Sequence, residues 1–122
     1  MIYLASPYSH PDPNVRERRF WAACYAAAEL LEDGEIVFSP IAHGHAIGTC
    51  GLPEDWRYWQ RYDCEYLSRC DEVVVLRLEN WHTSKGVRAE IRLAQKLGIP
   101  VRYIDPIGSR RLSRTALERG DG

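Results

Sequence analysis

The segment 72-EVVVLRLENWHTSKGVRAEIRLAQKLGIPVRYI-104 decides the fold. It opens with the most hydrophobic run of the chain, residues 72–78, rich in valine. A run of that kind suits the centre of a parallel sheet, buried on both faces. A polar loop follows. Apolar residues then recur at helical spacing from Lys85 to Leu97, and residues 100–104 return to an extended pattern. Strand, loop, helix and strand make the βαβ unit of a parallel sheet.

The same alternation extends toward the N-terminus. Residues 2–5 form a short apolar strand, and residues 6–12 a turn-rich loop with two prolines. Asp12 can cap and Pro13 can open a helix that runs to about Glu32. Its expected core face is Phe20, Ala23, Cys24, Ala27, Leu30 and Leu31, and Gly34 ends it. Residues 35–39 are the second strand. Residues 40–53, PIAHGHAIGTCGLP, are expected to form a long glycine-rich loop, and such loops tend to be functional. Residues 54–70 are a second helix, with Glu54 and Asp55 placed for its N-terminal dipole.

With right-handed crossovers, this order predicts a doubly wound three-layer α/β domain over residues 1–105. The expected parallel sheet has four or five strands in the flavodoxin-like order 2-1-3-4. The reversal then lies between the first and third strands, and ligands bind beyond their carboxyl ends. That brings residues 6–12 beside residues 79–84. Residues 106–122 are an arginine-rich tail, read as a short helix from near Ser113 or a partner-binding arm.

Length and composition narrow the function classes. A chain of 122 residues is one domain, burying about two-thirds of its unfolded surface. A formal net charge of −1 gives no global attraction to a nucleic acid polymer or a membrane. The N-terminal MIYLAS looks like a strand, not a secretory leader, and no apolar run approaches bilayer length. Cysteines at 24, 50, 64 and 70 form no CxxC pair and no zinc-site spacing with histidine. Cys24, Cys64 and Cys70 stand beside apolar neighbours, as buried free thiols of a reducing cytoplasm do. No metal or organic cofactor is expected.

Two acids stand at the apolar stripe of a helix, Glu90 on the edge of the expected buried face and Asp63 in the middle of its own. Glu90 lies three residues after Val87 and four before Ala94, whereas Arg88, Arg92, Gln95 and Lys96 point away. Asp63 lies four after Trp59 and three before Tyr66, in a stripe with Trp56, Leu67 and Cys70. Burying an unpartnered carboxylate costs several kcal/mol, and a raised pKa is the usual escape. One such acid suits a structural role, paired with an arginine or capping a backbone group. Two, on the helices flanking the third strand, suit glycosidic-bond chemistry, with one nucleophile or base and one acid. Ahead of Glu90, Ser84 and Gly86 occupy a helix N-terminus, where free N–H groups favour an anion, and Lys85 adds charge. A phosphate held there and a carboxylate one turn on could read a 5′-phosphate while reaching C1′ of the same sugar.

IYLASPYS, the acid in QRYDCEYLSRCDEVVVL, and SKGVRAEIRLAQKLGIPV together resemble the nucleoside 2-deoxyribosyltransferase superfamily over about residues 1–105. That group includes nucleoside deoxyribosyltransferases and hydrolases of nucleoside 5′-monophosphates. The resemblance implies the same doubly wound fold, a homodimer or larger homo-oligomer, and a small-molecule nucleotide as partner. It makes Glu90 the nucleophile toward the anomeric carbon and Asp63 the acid that handles the leaving base. Tyr8 falls where a tyrosine contacts the nucleophile. Ser84 stands where transferases of free nucleosides carry an aspartate for the 5′-hydroxyl, which favours a phosphorylated substrate. The expected activity is hydrolysis of a nucleoside 5′-monophosphate. Base exchange and a non-catalytic nucleotide-sensing module are the alternatives. EIR replaces the family's usual ELG or ELA after the nucleophile.

Other side chains are assigned by type. His43 and His45, in the expected second loop, are read as contacts to base or sugar. Ser6, Ser9 and His10 in the first loop are read as phosphate or sugar contacts. His82 is read as an exposed loop residue. Trp56, Trp59 and Tyr62 suit core or interface packing, or stacking on a base. Arg16, Arg18 and Arg19 read as the solvated face of the first helix, with an early arginine able to reach a phosphate as the alternative.

Overall fold

The computed structural model describes residues 1–106. Four strands, β1 (Ile2–Ala5), β2 (Val37–Phe38), β3 (Glu72–Leu76) and β4 (Val101–Ile104), form one parallel sheet ordered β2-β1-β3-β4. The helices are α1 (Pro13–Glu32), α2 (Pro40–Gly48), α3 (Trp56–Leu67) and α4 (Lys85–Leu97), with a short 3-10 turn at Trp81–Thr83. This is the expected doubly wound α/β fold, with four strands and the reversal between β1 and β3. Tyr3 of β1 pairs with Phe38 on one side and Val73 on the other.

Strand side chains alternate between faces and so build two cores. Tyr3, Ala5, Val73 and Val75 pack with Leu67 of α3 and with Val87 and Ala94 of α4. Ile2, Leu4, Val74 and Leu76 pack with Ala26 and Leu30 of α1. Both faces of β1 and β3 are therefore dry, which is why their sequences are continuously apolar. Each fully buried valine of β3 contributes about 1.5–3 kcal/mol.

Helix boundaries follow their caps. Asp12 accepts the Asn14 N–H at 2.9 Å, and Pro13 supplies the first helical φ of α1. Gly34, at φ +88°, closes it in the left-handed region that a side chain resists. The buried stripe of α1 is Ala23, Ala26 and Leu30. Leu31, expected in the core, is 55 % exposed, because one residue turns a helix by about 100°. The second expected helix, residues 54–70, is trimmed to α3, because Asp55 caps it by accepting the Tyr58 N–H at 2.9 Å.

The expected loop at 40–53 is the clearest departure. Its first nine residues form α2, with Ser39 accepting the Ala42 N–H at 3.1 Å and Pro40 opening the helix. Glycine inside a helix costs about 1 kcal/mol relative to alanine. Here the indole of Trp59 lies beside Gly44 and Gly48, where a Cβ would meet it at 3.7 and 3.8 Å, ordinary van der Waals contacts. The Ser39 cap and Pro40 start the helix despite the local glycine signal. The helix expected near Ser113 lies outside the described residues. No helix among the described residues is long and apolar enough to cross a membrane. Cys70 is buried, Cys24 and Cys64 are half-buried, Cys50 is exposed, and all four are free thiols.

Candidate active site

The loops that leave β1 and β3 flank a cleft of about 890 Å³ at the sheet's reversal point. Its lining includes Ser6, Tyr8, Ser9 and His10 from the first loop and Asn80, Thr83, Ser84 and Gly86 from the loop into α4. His45 of α2, Trp56, Trp59 and Asp63 of α3, and Glu90 of α4 complete it. The structure therefore brings together every sequence-derived site residue except His43. That histidine is exposed and packs at a tilt against Phe38 and Tyr66, outside the cleft lining. The helical turn of α2 accounts for this, since residues two apart lie on different faces.

Glu90 is not at the edge of the buried face of α4 but within it, alongside Val87 and Ala94. Its carboxylate accepts the phenolic O–H of Tyr3, which stands on the facing side of β1. Neither Glu90 nor Asp63 forms an ion pair among the described residues. An arginine-paired structural acid is therefore not what either position holds. Burial pushes the Glu90 carboxyl up to about 8; the Tyr3 hydrogen bond opposes that rise and the Asp63 charge adds to it. Burial alone pushes Asp63 up to about 7. The phenol of Tyr3 is raised well above its ordinary range by burial and by both acids, so it keeps its proton and donates. The Cys64 thiol, beside the pair, is raised by burial and by the same two charges.

The tyrosine on Glu90 corrects the expected role of Tyr8. Tyr8 hydrogen-bonds His45 Nδ1 at 2.6 Å instead. The sequence did carry a signal for Tyr3: a phenol in a fully apolar central strand has to find a polar partner.

Ser84 caps α4, accepting the Val87 N–H at 3.3 Å. Its own O–H proton is left for a ligand, and the first-turn N–H groups have no acceptor within the helix. Gly86 lies beside the Trp56 indole, which a Cβ there would meet at 3.5 Å, an ordinary van der Waals contact. Ser6 is buried, and its Oγ has no hydrogen-bond partner. Arg16 and Arg19, expected on a solvated face, are half-buried and line the cleft. Arg16 donates to the carbonyl of His10 and pairs with Glu54 at 3.2 Å, while Arg19 donates to the carbonyl of Ser9 at 2.9 Å. They brace the first loop, and Arg18 alone keeps the exposed position expected of it. His10 is exposed at the rim, its Nδ1 accepting the Asp12 N–H at 3.0 Å. His82 is exposed, as expected. Among the described residues no three His, Cys, Asp or Glu side chains gather in a set that could hold a metal ion.

Fold and cleft together define a doubly wound α/β domain with two carboxyls of raised pKa facing a common cavity at the switch point of its sheet. Residues 1–105 match the model of a domain of unknown function, DUF1937, and the chain belongs to that family. No curated protein matches it.

Proposed function

We propose that this protein hydrolyses the N-glycosidic bond of a (deoxy)nucleoside 5′-monophosphate, releasing free base and sugar 5-phosphate. The observation that carries this reading is the unpaired Glu90–Asp63 couple in one cleft, with carboxyls raised to about 8 and about 7. Such a pair shares roughly one proton near neutrality. The reactive form is the one with that proton on Asp63 and Glu90 as carboxylate, the form that the Tyr3 O–H favours. The resemblance to the nucleoside 2-deoxyribosyltransferase superfamily supports the same assignment.

In the first step the Glu90 carboxylate attacks C1′. The C1′–N bond breaks, its electron pair stays on the base nitrogen, and that nitrogen takes the proton of Asp63. In the second step Asp63, now ionised, removes a proton from water as the water oxygen attacks C1′. Glu90 leaves as carboxylate, Asp63 is reprotonated, and configuration at C1′ is retained. Tyr3 aims Glu90 and stabilises its ionised form, as does the positive charge that develops on the sugar. Ser84 and the N-terminus of α4 bind the phosphate, and Trp56 and Trp59 offer faces on which a base can stack.

The test is free-base release from a panel of nucleoside 5′-monophosphates and the matching nucleosides. Release is expected from the phosphorylated set only. Glu90→Gln should lower it about a thousandfold or more while leaving nucleotide binding largely intact. Exchange of a free base into unphosphorylated nucleosides would replace this reading with a deoxyribosyltransferase. Tight binding without turnover, unchanged in Glu90→Gln, would replace it with a sensing module.

A further inference from the structure

Tyr8, displaced from the role of holding Glu90, belongs to a chain of its own. Its phenol meets His45 Nδ1 at 2.6 Å, and His45 Nε2 meets Glu17 Oε2 at 3.2 Å. The imidazole is fixed in the plane that this chain needs. Phe20 stacks on it at a centroid distance of 4.2 Å and 22°, and the Tyr8 ring stands edge-on to it at 80°. Glu17 and Phe20 are three residues apart on α1, so one helix face supplies both the acceptor and the stacking plate. Tyr8 and His45 both line the main cleft, and with Glu17 they also line a smaller cavity of about 240 Å³.

Hydrogen-bond direction follows from what each group can do. A carboxylate only accepts, so the proton between Glu17 and His45 belongs to His45 Nε2. A neutral imidazole protonated there has only a lone pair at Nδ1. The proton between Tyr8 and His45 must then come from the phenol. With its one O–H spent on His45, the oxygen of Tyr8 can offer the cleft nothing but lone pairs, one of them on the side of the Arg16 guanidinium and the other left for a ligand.

We propose that the Glu17–His45–Tyr8 chain makes Tyr8 a dedicated hydrogen-bond acceptor, so that the ligand group seated against it is a donor: an exocyclic amine of the base or a hydroxyl of the sugar. Tyr8 is the specificity-determining residue, and His45 and Glu17 are positioning residues that hold its proton away from the ligand. The inference rests on the nucleotide reading of the cleft and deepens it by naming what the ligand must carry.

The experiment is calorimetric titration in a Glu90→Gln background, so that binding is read without turnover. One arm compares cytidine with uridine and adenosine with inosine monophosphates, which exchange an amine for a keto oxygen. The other compares ribo-, 2′-deoxy- and 3′-deoxynucleotides. A preference of about tenfold for the donor-bearing member is expected in one arm, and the arm identifies the source. Tyr8→Phe should shrink that ratio to within about twofold while leaving the poorer member's affinity nearly unchanged, which also reports an intact fold. His45→Leu should erode the ratio in the same way. His45→Asn should restore it, since its amide oxygen can stand in for Nδ1 as acceptor. Nucleotide binding with the same ratio in Tyr8→Phe overturns this inference alone, as does a Tyr8-dependent preference for keto members. Failure of every nucleotide to bind overturns the nucleotide reading, and this inference with it.

Discussion

Glu90 is held by a single neutral donor. The Tyr3 phenol opposes the rise that burial imposes on its carboxyl, so removing that phenol has a definite sign. Tyr3→Phe should raise the Glu90 pKa further and leave a buried acceptor unsatisfied. Wild-type activity is expected to follow a narrow bell with macroscopic values near 7 and 8, belonging to the coupled pair and not to either acid. In Tyr3→Phe the alkaline of the two values should move upward and the rate at the optimum should fall by about tenfold or more. A pH–rate profile of both proteins checks this, and an unchanged profile would remove Tyr3 from the mechanism. At this scale the sequence showed that both acids were misplaced for a solvated helix face. It did not show which tyrosine would reach Glu90, because Tyr3 and Glu90 are 87 residues apart and meet only across two layers. Tyr8 was the nearer guess by motif, and the structure gives it a different partner.

The element that does most for the site is α4. Ser84 stabilises its first turn and also fronts the cleft. The two roles separate by substitution. Ser84→Ala removes the cap and should cost about 1 kcal/mol, or a few degrees in Tm. Ser84→Asp preserves a capping oxygen and should hold Tm near the wild-type value. Its charge repels a phosphate, so affinity for a nucleoside monophosphate should fall by about tenfold or more. Thermal melts and nucleotide titrations of the two variants check both halves. Equal affinities in wild type and Ser84→Asp would move the phosphate elsewhere. The caps of α1 and α4 and the span of α4 were legible from local residues, since capping is a matter of a few neighbouring atoms. The α2 helix was hidden. Its glycines argue for a loop, and the Trp59 indole beside them arrives from a different part of the chain.

Across the whole molecule, the two raised acids burden stability in a pH-dependent way. Their folded-state pKa values, about 8 and about 7, lie above the ordinary carboxylate range. Below that range both native and unfolded chains hold the protons, and no penalty exists. As pH rises, the unfolded chain releases them first, so stability falls until the native pair also ionises. The loss is on the order of a few kcal/mol for each acid, complete only above the folded values. Glu90→Gln should therefore melt higher than wild type at about pH 8, by several degrees, and the gap should close toward about pH 4. Differential scanning calorimetry at the two pH values tests it. A gap that is constant with pH would mean that the folded carboxyls are not raised.

The sequence alone determined the alternation of strand and helix and hence the doubly wound class; the order 2-1-3-4, which fixes where the sheet reverses and the cleft opens, is an assumed order that the structure bears out. The alternation and the class follow from hydrophobic period, caps and the handedness of crossovers, all of which are local or generic. Only the tertiary structure decided how the site is wired. It put Tyr3 on Glu90, Tyr8 on His45, His43 outside the cleft, and Arg16 and Arg19 in the brace of the first loop. A hydrogen bond requires two atoms within about 3 Å and aligned. Periodicity assigns a residue to a face; it does not say which side chain on the opposite layer will arrive at that spot.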